Sequence, residues 1–166
     1  MFMFEKKGYP KVTGAVMEDK FEKVELTSMC MISDGNGNIL VQDRVKSWCG
    51  IAFPGGHVEK YESIVDSVVR EVKEETGLTI SHPRLCGIKQ WFSENTRSVC
   101  FLFATETFDG ELMSSDEGEN FWIKREDIGN YRLAPMFELM LEEFENPDIS
   151  EYYHRRTETG DIDILK

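Results

Sequence analysis

Ile51-Ala52-Phe53-Pro54-Gly55-Gly56-His57-Val58-Glu59-Lys60-Tyr61-Glu62-Ser63-Ile64-Val65-Asp66-Ser67-Val68-Val69-Arg70-Glu71-Val72-Lys73-Glu74-Glu75-Thr76-Gly77-Leu78 contains, in order, a short apolar run, a glycine loop and a helix with legible ends. The apolar run Ile51-Ala52-Phe53 stops at Pro54-Gly55-Gly56, and the two glycines free the backbone to approach a ligand closely. Residues 63–76 are expected to be helical. Ser63 can cap the first turn, with Asp66 at the position of a capping-box acid. Gly77 can take the left-handed conformation that ends the helix, with Leu78 folding back apolar surface. At helical spacing Ile64, Val65, Val68, Val69 and Val72 form one stripe expected to face the core.

Outward from this unit the chain alternates between extended and helical patterns. Residues 24–33 and 39–44 read as strands on either side of the turn Asp34-Gly35-Asn36-Gly37-Asn38, together a hairpin. Further strands are expected at residues 85–92, 98–105 and 121–123. A last helix is expected to start near Pro135, where proline suits the first turn, and to run to about Phe144. Strands before, between and after two helices indicate a mixed sheet covered by helices, an α/β/α or α+β sandwich, with α/β the expected class. Residues 1–22 read as an arm or edge strand, residues 23–147 as the main domain, and residues 148–166 as a polar tail. That tail, with Tyr152, Tyr153, Arg155 and Arg156 together, reads as a wrapped or mobile terminus or as a contact surface.

Composition narrows the function classes. The 166 residues suit one domain, and 31 acids against 19 bases give a net charge of -12, which repels polyphosphate backbones. A nucleic-acid polymer is therefore an unexpected partner. A small phosphorylated ligand is compatible, because a bound metal ion inverts the local field. The four cysteines form no metal-binding spacing, and three of them sit in apolar runs and read as small buried hydrophobes. No run approaches a membrane span and no leader is evident, so a cytoplasmic protein with no membrane partner is expected.

The chemistry concentrates on the helix. Glu71, Glu74 and Glu75 stand at i, i+3 and i+4, on a face about 90° from the apolar stripe. Like charges at this spacing destabilise a helix. A hard cation such as Mg²⁺ or Mn²⁺ converts that repulsion into ligation by carboxylate oxygens. A solvated acidic face is the alternative reading of the same residues. Arg70, four residues before Glu74, can orient one of the carboxylates.

Gly56-x5-Glu62-x7-Arg70-Glu71-Val72-x-Glu74-Glu75-x-Gly77-Leu78 resembles the Nudix box at every specified position, nine specified residues over 23 positions. The flanking strands extend the likeness over most of residues 24–144, and the chain is most similar to MutT-like proteins of the 8-oxo-dGTP diphosphatase branch. The resemblance implies the Nudix α/β/α sandwich with a mixed β-sheet between helices. It implies hydrolysis of a nucleoside diphosphate linked to another moiety, X. For a nucleoside triphosphate the products would be the monophosphate and pyrophosphate. It further implies Mg²⁺ held by Glu71, Glu74 and Glu75 with the Gly55 carbonyl, Arg70 orienting a glutamate, and Glu62 bracing the loop. Glu117, in Ser115-Asp116-Glu117-Gly118, resembles the position of an additional ligand or base. Glu75, Glu71 and Glu117 remain alternative proton acceptors.

For the substrate, Arg44 and His57 are candidate phosphate contacts. Trp91 and Phe92 are candidate stacking residues for a base, with Phe21 and Phe121 as further aromatics. Leu133-Ala134-Pro135 occupies the region where MutT relatives can carry a base-reading asparagine, so guanine is read otherwise here or the base differs. Three functions are compatible: a Mg²⁺-dependent triphosphate pyrophosphohydrolase, a hydrolase of a nucleotide sugar or dinucleoside polyphosphate, and a nucleotide-binding regulator. A small-molecule nucleotide is the expected partner, and a homodimer is a candidate assembly.

Overall fold

The computed structural model describes residues 21–93 and 95–166, so most of the expected arm at residues 1–22 lies outside the described residues. In chain order the elements are β1 (Lys23–Ile32), β2 (Asn38–Arg44), β3 (Gly50–Ala52), β4 (Gly55–His57), α1 (Ile64–Thr76), β5 (Thr79–Ser81), β6 (Arg84–Ser93), β7 (Thr96–Thr105), β8 (Thr107–Asp109), β9 (Gly118–Lys124), α2 (Phe137–Glu145), β10 (Glu151–Thr157) and β11 (Gly160–Leu165). A 3-10 turn at Arg125–Asn130 precedes α2.

Six strands form a mixed sheet in the order β11-β10-β6-β7-β1-β4, with β1–β7 and β10–β6 parallel. A second sheet has the order β3-β2-β9, and β5 pairs with β8. The period of two along β1 sorts its side chains between two cores. Cys30 and Ile32 meet Val68 and Val72 of α1, together with Leu78, Ile80 and Phe103. Met29 and Met31 pack on the other face, in the cluster that holds Phe137, Met140, Leu141 and Phe144 of α2. Phe53 fixes that second core, its ring edge-on to Phe137 at 4.9 Å and to Phe144 at 5.1 Å. The expected α/β/α sandwich is the observed fold.

The helix carrying the acids ends as its sequence predicts. Ser63 accepts a hydrogen bond from the Asp66 amide at 3.0 Å, and Gly77, at φ 75°, donates its amide to the Lys73 carbonyl at 3.0 Å. The apolar stripe is narrower than expected. Val65 is 47% exposed, and Ser67 is buried in its place, its hydroxyl 3.1 Å from that of Ser28.

Three expectations are corrected. β1 and β2 do not pair as a hairpin. They reverse at the Asp34 turn, share only the bridge Ser33–Ile39, and then enter different sheets. Asp34 holds the turn itself by accepting from the Asn36 and Asn38 amides, so reversal needs no strand pairing. Pro135 lies before α2, not within its first turn, because Met136 caps the helix in a left-handed conformation at φ 64°. Residues 148–166 are not a loose terminus: β10 adds to β6, β11 folds back on β10, and Tyr152 is fully buried in the α2 core. No helix among the described residues is long and apolar enough to cross a membrane.

Candidate active site

Strand β4 is the hinge of the site. Its residues Gly55, Gly56 and His57 pair with Met29, Ser28 and Thr27 of β1. A Cβ at Gly55 would stand 2.1 Å from the Ser28 carbonyl oxygen, so only glycine lets the two backbones approach this closely. At Gly56 a Cβ would meet the Glu71 carboxylate at 2.5 Å. The first glycine thus seats the loop on the sheet, and the second makes room for an acid from α1.

Arg70 organises the acids. Its Nε and Nη2 donate to the two oxygens of Glu62, each at 2.9 Å, and Nη2 also donates to the His57 carbonyl at 2.9 Å. Its Nη1 donates to Glu71 at 2.8 Å and to Glu74 at 3.0 Å. One guanidinium therefore ties the glycine loop to three carboxylates, which a lysine's point charge could not do. The Arg70 bond, aided by the Glu59 amide, draws the Glu62 carboxyl down to about 2. Glu62 in turn is the main group holding the Arg70 guanidinium well above its ordinary value.

Glu75 faces away from this network and is only 8% exposed. It accepts from the Gly55 amide at 2.9 Å and from Gln42 Nε2 at 3.5 Å. Burial pushes its carboxyl up to about 7. The Gly55 amide and the charge of Arg44 oppose that rise, and the negative charges of Glu71 and Glu117 add to it. Asn120 supports the same helix end, its Nδ2 donating to the Glu75 and Met113 carbonyls at 2.7 and 2.9 Å. Gln42 Oε1 and Asn120 Oδ1 are buried without a partner among the described residues. Sequence reasoning missed Gln42 and Asn120. Gln42 carried a signal, a lone amide directly after the apolar run Ile39-Leu40-Val41.

The remaining candidates divide. Arg44 stands 3.7 Å from Glu117, which also pairs with Lys46 at 2.9 Å. His57 Nε2 lies 3.0 Å from Glu25. Arg44, Gly55, Gly56, His57 and Trp91 all line one cavity of about 450 Å³ on the α2 side of the main sheet. Phe92 is outside its wall, its ring edge-on to Tyr153 at 6.0 Å and 4.3 Å from the Arg97 guanidinium. Phe21 is exposed, and Phe121 packs against Tyr131, so neither lines the cavity. Trp48 and Met136 do line it, and both hold left-handed backbone, at φ 55° and 64°, which is uncommon for bulky residues. A second cavity of about 970 Å³ shares Trp48, Trp91 and Met136 with the first and continues to β10 and β11.

Chemically, Glu71, Glu74 and Glu75 offer hard oxygens of one charge sign on one helix end, a donor set that suits Mg²⁺ or Mn²⁺. Among the described residues no three Asp, Glu, His or Cys side chains are already drawn into a metal-ligand cluster. Arg70 holds Glu71 and Glu74, and the Gly55 amide holds Glu75. The donor chemistry fits a hard divalent cation, and the carboxylates would turn from these partners to reach it.

A family model described as the NUDIX domain matches residues 24–144. Over 112 residues the chain is 32% identical to the uncharacterized Nudix hydrolase YvcI of Bacillus subtilis, covering 64% of this chain and 70% of that protein. It is 29% identical over 125 residues to the NAD-capped RNA hydrolase NudC of Mycobacterium tuberculosis, covering 73% of this chain and 39% of that protein. Among solved structures, the MutT mutator protein of Bacillus halodurans superposes with a TM-score of 0.69 at 24% identity, covering 85% of this chain and 94% of that one.

Proposed function

The chain belongs to the NUDIX domain family, whose members hydrolyse pyrophosphate bonds in nucleoside diphosphate-X compounds, and from that premise we propose a Mg²⁺-dependent nucleoside triphosphate pyrophosphohydrolase. Its products are a nucleoside monophosphate and pyrophosphate, and 8-oxo-dGTP is the first substrate to try. The observation that carries this reading is the Arg70-centred carboxylate cluster set directly behind Gly55 and Gly56, where a cavity of nucleotide size begins.

Glu71, Glu74 and Glu75 would hold the metal, with the Gly55 carbonyl and Glu117 as further candidate ligands. When bound, such an ion would supply neutralisation of phosphate charge and a more acidic water. Arg70 keeps Glu71 and Glu74 in place while Glu62 anchors it to the loop. Arg44 and His57 present positive or hydrogen-bonding groups to the phosphates on the cavity side. Glu75, with Glu71 and Glu117 as alternatives, takes the proton from the attacking water.

A panel assay with Mg²⁺ tests the reading, using oxidised and ordinary nucleoside triphosphates, nucleotide sugars and dinucleotides, with products identified by mass. Glu75→Gln should reduce turnover at least about a hundredfold while the protein stays folded. Full activity in that variant would falsify the carboxylate mechanism. The second cavity favours a second reading, in which X is a sugar or nucleoside lying toward β10 and β11. Turnover of nucleotide sugars or dinucleotides without turnover of triphosphates would select it. Binding without turnover of any compound would leave a nucleotide-binding regulator.

A further inference from the structure

The floor of the first cavity is built by rows of aligned residues across the main sheet. One row runs Tyr152–Lys89–Cys100–Thr27–His57, one residue from each of β10, β6, β7, β1 and β4. His57 ends this row beside the glycines and the acids. Lys89 stands three strand spacings away, roughly 14 Å. A diphosphate placed at the glycine end leaves its nucleoside to cover that distance.

Lys89 is only 6% exposed, yet among the described residues its ammonium has no hydrogen bond and no ion pair. It lies 5.1 Å from the Trp91 ring centroid and 5.6 Å from that of Tyr152. Aromatic faces attract a cation but accept none of its three N–H bonds. The ammonium opens onto the cavity, where an acceptor on a ligand can take the place of water. Trp48, Trp91, Met136 and Met140 line the same cavity and offer flat apolar contact, which suits a nucleobase edge better than a phosphate.

Nearby acids leave Lys89 open. Asp163 accepts from the Tyr152 hydroxyl and lies 2.8 Å from His154 Nδ1. Glu143 sits over Gly87, two residues before Lys89, and its carboxylate oxygens are also without partners among the described residues. No Lys89–Glu143 contact within 4.0 Å is formed, although both are buried on the same side of the sheet. A purely structural pair between them is the competing role that a test must separate.

We propose that Lys89 is a specificity-determining residue that donates to the ring carbonyl oxygen of a base stacked against Trp91, so that the site takes keto bases in preference to amino bases. The inference rests on the nucleotide reading above and deepens it. An ammonium can only donate. The exocyclic amine of adenine or cytosine would set donor against donor, whereas the oxygen of hypoxanthine, guanine or uracil completes the site. Discrimination comes from leaving a buried polar group unpaired with the wrong base.

The test compares matched pairs, inosine with adenosine triphosphate and uridine with cytidine triphosphate, in wild type and Lys89→Met. Hydrolysis is measured with Mg²⁺. Binding of the corresponding diphosphates is measured separately without metal, by tryptophan quenching. The wild type should favour the keto partner by about ten- to hundredfold, carried mainly by KM and by binding. In Lys89→Met that preference should vanish, with kcat for the keto partner changed less than about twofold. The double variant Lys89→Met/Glu143→Gln removes both buried charges together and should give the same loss of preference. Equal use of both partners by the wild type, or a preference retained in both variants, overturns the proposal while leaving hydrolysis standing. A uniform loss for all bases in both variants assigns Lys89 a structural role and overturns it too. Keto preference in binding with no turnover of any nucleotide would support Lys89 and reject the hydrolase reading.

Discussion

At the β4 edge of the cavity each carboxylate has a donor: Arg70 serves Glu62, Glu71 and Glu74, while Glu75 takes the Gly55 amide. On the β6 side, Lys89 lines the cavity with no hydrogen bond or ion pair among the described residues, and the two Glu143 oxygens are buried without a hydrogen bond. The difference lies in how each side is built. The acids sit on a helix and a loop that one guanidinium can span, so their mutual repulsion is offset within the protein. Lys89 projects from β6 between the rings of Trp91 and Tyr152. On the first side each helix acid finds its donor within the protein. On the second the lysine finds no acceptor among the described residues.

The sharpest way to break this contrast is Gly56→Ala, which places a methyl group 2.5 Å from the Glu71 carboxylate. Glu71 must move, and turnover should fall by about a hundredfold through misplacement, with little change in melting temperature. Wild-type turnover in this variant would mean that Glu71 has no geometric demand upon it.

Glu143→Gln probes the other side through pH. Burial raises the Glu143 carboxyl to about 7, with Glu151 adding to the rise and Lys89 opposing it; Cys86 lies beside it. Folded chains therefore hold this proton to higher pH than unfolded ones. Between the ordinary carboxylate value and about 7 the folded state binds more protons, so its stability falls as pH rises, levelling above that window. The glutamine variant should lose the Glu143 share of this slope, keeping the share that Glu75 contributes in the same window, and be more stable than wild type by on the order of 2 kcal/mol at about pH 8. Urea melts of both proteins across the window measure it, and parallel curves would show that Glu143 is not the titrating group.

Ser63→Ala should have the smallest effect, about 1 kcal/mol of stability from the lost cap, with kcat unchanged. A drop in kcat would show that the helix start, and not the Arg70 network, aligns the acids.

The side whose acids find their donors is also the side that was legible. Ser63, Gly77 and the spacing of Glu71, Glu74 and Glu75 are local signals, readable without knowing what the helix packs against. The β1–β2 turn was equally legible as a turn, but Asp34 makes the same bonds whether the flanking strands pair or part. Partner choice is a tertiary decision. Lys89 was hidden for a related reason. A register shift between Leu85 and Gly87 interrupts the alternation of β6, so the pattern does not say which face the lysine takes. In the tail, Ile162 and Ile164 alternate with acids and read as polar chain until β10 supplies a partner.

The parallel pairing of β1 with β7 has a consequence in time. Each residue of β1 meets one 73 positions further along, as at Glu25 and Ser98, so the centre of the sheet closes a long loop before it gains any contact. Such non-local pairing slows folding relative to helix formation. During synthesis α1 can form while β1 still waits for its neighbour, its edge open to other chains. The acids can thus be in helical order well before the floor beneath the nucleotide exists, and the interval between the two is when this chain is most exposed to aggregation.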